Sequence, residues 1–127
     1  MKKILAIGVL ALGVCSQAAT AGTLDTVKER GILKCANHPG APGMSAPDDN
    51  GKFKGLDVDF CRAVAAAVLG SADKLELVPV SAKARFPILQ SGEVDMVSRG
   101  TTRTAMRDTK HGVDFIGTLY YDGQGFI

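Results

Sequence analysis

The chain has 127 residues with 15 basic, 13 acidic and two histidine side chains, and three cysteines. Its first 21 residues read as an export leader. Removing them takes Lys2 and Lys3 away and leaves the charges balanced, which excludes the basic face that nucleic acid requires. What remains is long enough for one hydrophobic core and holds no second long apolar run, so the mature chain is not expected to insert into a membrane.

The leader has three parts. Met1-Lys2-Lys3 is its positive start, residues 4–14 its apolar core, and Ala19-Thr20-Ala21 the small-x-small site that signal peptidase accepts. Gly22 is therefore predicted to open the mature chain. Cys15 would suggest lipid attachment, but Val14 stands where that signal wants a small residue, and cleavage after Ala21 is preferred.

Residues 23–30 read as a short amphipathic helix capped by Thr23 and stopped by Gly31. Residues 32–36 read as a strand. Pro39, Gly40, Pro42, Gly43 and Pro47 then exclude regular structure. Asp48-Asp49-Asn50-Gly51 is a turn between two short extended arms, with Phe53 on the second. A helix is predicted over residues 60–69, with Phe60, Val64, Ala67 and Val68 as its stripe, Asp57 or Asp59 as its cap and Gly70 as its stop. Residues 75–80 alternate as a strand, with Pro79 near the end, where a missing donor is tolerated. The next helix lies within residues 81–91 and begins late, because Pro87 fits only its first turn. Residues 94–98 form a third strand, and residues 113–116 and 118–121 look extended. Residues 123–127 start a further element.

Strands alternating with helices imply right-handed crossovers and a largely parallel sheet. Ligands bind beyond the carboxyl ends of such strands. Two loops lie at that edge: the Pro/Gly loop and the loop of residues 98–102. In the second, Gly100 turns the chain and the threonines bring hydroxyls. If Thr104 caps the following helix, Arg107 falls at its third residue, where its side chain can arch back over the helix start. Amides, hydroxyls and one guanidinium would then converge on a point suited to a small carboxylate. The alternative is an ordinary solvated helix arginine.

Export permits a disulfide between Cys35 and Cys61, and two separate buried thiols are the other reading. Neither cysteine has a second ligand nearby, and His38 and His111 stand apart from acidic clusters, so no metal and no cofactor is expected.

Taken together, residues 51–67, 89–95, 98–108 and 114–126 resemble the periplasmic solute-binding proteins of polar amino-acid ABC importers, and most closely the general L-amino-acid-binding group. The resemblance implies a type II periplasmic-binding-protein fold in which two α/β lobes close on a free L-amino acid. Residues 22–127 would form the first lobe, incomplete and without its partner lobe. It implies that Arg107 grips the ligand α-carboxylate, that Thr102 donates a hydroxyl to it, and that Gly100 contacts the ligand, with Arg99 beside it. The loop from Asn37 to Met44 would pack on the ligand side chain. Cys35 and Cys61 fall where this group usually carries cysteines, which favours the disulfide. Permease subunits of the transporter would be the partners and the periplasm the compartment.

Departures from the pattern are Gly100, where a polar residue is usual, Arg103, where an aromatic is, and the small Ala41 and flexible Met44 in the first loop. They predict a looser site, and a lone lobe predicts weak binding. An enzyme on this architecture, like the cyclohexadienyl dehydratases, is the alternative. It needs a positioned acid or base, and the loops offer only His38. The expectation is therefore a binding protein, with a non-binding remnant as the third reading.

Overall fold

The computed structural model describes residues 22–125, and the predicted leader lies outside them. The first helix, α1 (Thr23–Arg30), is capped by Gly22 rather than by Thr23. The Gly22 carbonyl accepts the amides of Asp25 and Thr26 at 3.0 and 3.1 Å, leaving Thr23 as the first helical residue. Gly31 ends the helix as predicted, in the left-handed conformation (φ 73°) that glycine adopts without a Cβ penalty.

Three parallel strands make the main sheet: β1 (Leu33–Asn37) lies between β4 (Leu75–Pro79) and β5 (Met96–Val97). Leu33 faces Leu75 and Cys35 faces Leu77 on one side, while Cys35 faces Met96 on the other. Side chains alternate between the faces of a strand, so β1 feeds two apolar clusters. Leu33 joins Val27 of α1 and Ala65, and Ala36 joins Val80 and Val94 under Ile88 and Leu89. Helices thus cover both faces, as the resemblance implied. Between β1 and the next helix stands a small antiparallel pair, β2 (Ala46–Pro47) and β3 (Phe53–Lys54). The predicted turn joins them. The Asp48 carboxylate accepts the amides of Asn50 and Lys52 at 3.0 and 2.9 Å and pairs with Lys54 at 2.7 Å. That Lys54 contact, with the two amides, holds the Asp48 carboxyl below its ordinary pKa.

Helix α2 (Leu56–Leu69) starts four residues before the expected stripe. Neither Asp57 nor Asp59 caps it. The amides of Leu56 and Asp57 donate instead to the carbonyls of Gly43 and Met44, at 3.1 and 2.9 Å. This closeness requires glycine at position 55, where φ is 126° and a Cβ would meet the Met44 oxygen at 2.5 Å. The buried face is also rotated from the predicted one. Asp57, Val58, Cys61 and Ala65 turn inward, whereas Ala67 is exposed. Cys61 reaches Cys35 and the two form a disulfide, with Cα atoms 6.1 Å apart, which decides the alternative left open by the residues alone.

Helix α3 (Arg85–Gln90) begins late, and Pro87 sits in its first turn as predicted. Helix α4 (Ala105–Lys110) is capped by Thr104, whose hydroxyl accepts the Arg107 amide at 3.2 Å. The expected extended stretches at 113–116 and 118–121 form no strand. Apart from Val113 they bury no whole side chain, and among the described residues no neighbouring strand pairs with them.

Candidate functional site

Parallel pairing brings three loops to one edge of the sheet: those after β1, β4 and β5. The loop after β5 is held from both sides by arginines. Arg107 arches back over the start of α4 and its Nη1 donates to the Thr102 carbonyl at 2.6 Å. Arg85, from the first turn of α3, sends its Nη1 to the Gly100 carbonyl at 3.1 Å. Both guanidiniums lie over the Phe86 ring, 5.1 Å from its centre for Arg85 and 5.9 Å for Arg107, and the His111 ring stacks on Phe86 with centres 4.6 Å apart. Thr101 folds its hydroxyl back onto the Arg99 carbonyl at 2.5 Å, tightening the loop.

A groove of about 680 Å³ runs along this loop, with residues 113–124 as its opposite wall. Arg99, Gly100 and Thr102 line it, over an apolar base that includes Phe60, Met96 and Val97. Arg107 is not part of the lining and abuts it through Thr102. The structure therefore brings together four of the six candidate residues, namely Arg99, Gly100, Thr102 and Arg107.

Asn37 and Met44 sit apart from them. Asn37 is fully buried, and its Nδ2 donates to the Ser45 hydroxyl at 2.9 Å, so it braces the first loop from inside and presents no surface to the groove. The Ser45 hydroxyl donates in turn to the His38 carbonyl at 2.8 Å. Met44 contributes its carbonyl to the start of α2, and its side chain is half-buried outside the groove lining.

Two residues missed by sequence reasoning matter here. Asp57 is buried on the first turn of α2 and accepts the Ser98 hydroxyl at 3.4 Å, joining the first loop, which holds α2, to the loop after β5. Burial raises its carboxyl above the ordinary 3.8, against the Ser98 bond and the charges of Arg99 and His38. The alternation around Asp57 suggested a cap, and only the non-local capping by Met44 freed this carboxylate. Arg85 is the second. Burial, then repulsion from Arg107 and Arg99, pushes its guanidinium below the ordinary value. Its sequence signal was positional, because the loop after β4 must reach the same edge as the other two.

A parallel sheet wrapped by helices, with a cationic loop at its carboxyl edge, defines the class: an α/β fold of the type II periplasmic-binding-protein kind. Residues 33–127 match the bacterial extracellular solute-binding proteins, family 3, and the chain belongs to that family. It is 50% identical over 122 residues to the general L-amino acid-binding periplasmic protein AapJ of Rhizobium johnstonii, covering 96% of this chain and 36% of that protein. Against the glutamate/glutamine/aspartate/asparagine-binding protein BztA of Rhodobacter capsulatus it is 50% identical over 128 residues, covering 100% of this chain and 38% of BztA. A solved ABC-transporter periplasmic binding protein from Brucella ovis, with glutathione bound, superposes with a TM-score of 0.79 at 51% identity, over 83% of this chain and 33% of that one. The chain thus spans less than two fifths of the length of the curated relatives it matches.

Among the described residues no group of three or more histidine, cysteine or acidic side chains is placed to hold a metal ion, and no helix is long and apolar enough to cross a membrane.

Proposed function

We propose that this chain forms the first lobe (residues 22–127) of an amino-acid-binding component of an ABC importer. It takes a free L-amino acid by its α-carboxylate, with Arg107 as the anchor and Thr102 as the neighbouring donor. The contact between the Arg107 guanidinium and the Thr102 carbonyl carries this reading. It fixes a planar, permanently charged fork against the loop that lines the groove. Among the described residues, no other guanidinium nitrogen of Arg107 is bonded within the protein. A carboxylate meeting that fork gains paired, charge-assisted hydrogen bonds of defined direction.

The groove is open, and water competes for the same donors. Small-ligand sites normally bury most of the ligand surface, so the lobe by itself binds weakly and gains affinity when a second wall covers the ligand. In this reading residues 1–21 direct export to the periplasm, and the loaded protein delivers its ligand to the permease subunits in the membrane. The named relatives are binding proteins, which supports this reading over a dehydratase on the same architecture.

Titrating the isotope-labelled chain with L-amino acids, while following the amide signals of residues 99–107, tests the reading. Shifts centred on Thr102 that saturate with ligand, and that Arg107→Met abolishes, are the expected result. Binding that survives Arg107→Met would overturn it.

A further inference from the structure

The α3 segment is fixed to the sheet by Ala84, Ile88 and Leu89, which pack on the cluster of Ala36, Val80 and Val94. Helix α4 has no such footing. It buries no residue, and among the described residues its hydrogen bonds stay within residues 102–111 apart from one. That one comes from α3, where Gln90 Nε2 donates to the His111 carbonyl at 2.5 Å. A second link is aromatic. The Phe86 and His111 rings stack with 6° between their planes, and the Arg107 guanidinium carbon lies 5.9 Å from the Phe86 centre. Phe86 and Gln90 are four residues apart on α3, as Arg107 and His111 are along α4 and its C-cap. At that spacing each helix presents its pair on one face. The two faces meet, ring on ring and amide on carbonyl.

An anchoring arginine must be held still and yet keep its charge and its donors for the ligand. A carboxylate partner would use both, as it does for Arg30 with Asp95 and for Arg103 with Asp108. A ring face instead attracts a guanidinium through its quadrupole and occupies no conventional hydrogen bond. Arg107 is held in that second way, by the Phe86 ring and, through Nη1, by the Thr102 carbonyl at 2.6 Å. Both partners are neutral, so the positive charge is left for an incoming anion. Phe86 itself lines the groove, which places the ring between the core-anchored helix and the site.

We propose that Phe86 is the positioning residue for Arg107, with the His111 stack holding the end of α4 against it, so that the guanidinium meets a ligand carboxylate already aimed. The proposal rests on Arg107 being the α-carboxylate anchor and adds the group that aims it. A long side chain ordered in advance lowers the cost that the ligand must meet on binding. The same turn of α3 sends Arg85 to the Gly100 carbonyl at 3.1 Å. One short helix therefore sets both the loop and the guanidinium beside it.

The experiment uses the full mature chain with its disulfide formed, as wild type, Phe86→Leu, Phe86→Tyr, His111→Leu and Arg107→Met. In the ligand-free chain the Arg107 side-chain protons are followed by NMR. The Phe86 ring current is expected to move them upfield, Phe86→Tyr to keep that shift and Phe86→Leu to remove it. The binding probe is L-glutamine, whose one anionic group is its α-carboxylate, titrated against the amide signals of residues 99–107. Phe86→Leu should bind it about fivefold more weakly, as the loss of a half-exposed cation–π contact implies, and Phe86→Tyr should stay within about twofold of wild type. Leucine keeps the apolar bulk, so a role in packing alone would not separate it from tyrosine. His111→Leu should also weaken the probe and reduce the ring shift, and it keeps the proposal testable should Phe86→Leu fail to fold. Arg107 protons that do not move in either leucine variant, or equal affinities for Phe86→Leu and Phe86→Tyr, would overturn it. Should Arg107→Met leave probe binding intact, the anchor reading falls, and the ligand-free shifts still decide whether Phe86 holds the guanidinium.

Discussion

Around β1, side chains such as Leu33, Cys35, Ala36, Val58 and Cys61 are almost wholly removed from water, and a disulfide ties the strand to α2. Along residues 99–125 the balance reverses: α4 buries no residue, Ile116 is 74% and Tyr121 97% exposed, and order comes from arginine-to-carbonyl bonds and one threonine cap. The first region is held by burial, which is strong and indifferent to direction. The second is held by directed polar contacts with water on one side, each worth little net stability. A site that must open its donors to a ligand cannot also close them in a core. Amide exchange should therefore be slowest at Cys35 and Ala36 and fast through residues 113–124.

The sharpest way to break the contrast is Gly55→Ala. The added methyl meets the Met44 oxygen in a backbone conformation reserved for glycine, so we expect a loss of about 3–4 kcal/mol in urea unfolding. The first loop should come away from α2 as well. Next, replacing Cys35 and Cys61 together by alanine removes a crosslink between residues 26 positions apart, and should cost about 3 kcal/mol on the chain-entropy model. Preserved stability after that replacement would mean that the apolar clusters alone hold β1 to α2.

On the polar side, Thr104→Ala should cost about 1 kcal/mol. The loss should appear as faster exchange in α4 and weaker ligand shifts rather than as a lower global midpoint. The smallest effect is the pH dependence owed to Asp57. Its carboxyl titrates above the ordinary 3.8 in the folded chain, so the folded state keeps this proton to higher pH than the unfolded state does. The stability it contributes is complete below 3.8 and is lost as pH rises through the raised value. Asp57→Asn should therefore gain stability relative to wild type across that rise, and parallel pH profiles would show that the carboxylate is compensated by Arg99.

The features legible in the chain are those whose causes are local. Gly31 as a stop, the Asp48 turn, Pro87 in the first turn of α3 and Thr104 as a cap each depend on backbone chemistry within a few residues. The edge that carries the loops followed from the alternation of strands and helices, and with it the meeting of Gly100, Thr102 and Arg107. The cap of α2 and the phase of its buried face were illegible, because the carbonyl of Met44 reaches that helix from another element. Asn37 looked available at the end of β1, but its amide is satisfied by Ser45 across the first loop.

Periodicity and turn chemistry by themselves determined the main strands and helices, the parallel sheet, the stops at Gly31 and Gly70, the late start of α3 and the cap of α4, since each reflects energies settled between near neighbours in the chain. The tertiary structure decided three other things: that Cys35 bonds Cys61, that Asp57 lies buried beside Ser98, and that Arg85 stands with Arg99 and Arg107. Those groups are separated by up to dozens of positions in the chain. Only the packing of α2 and α3 on opposite faces of the sheet sets the distances between them.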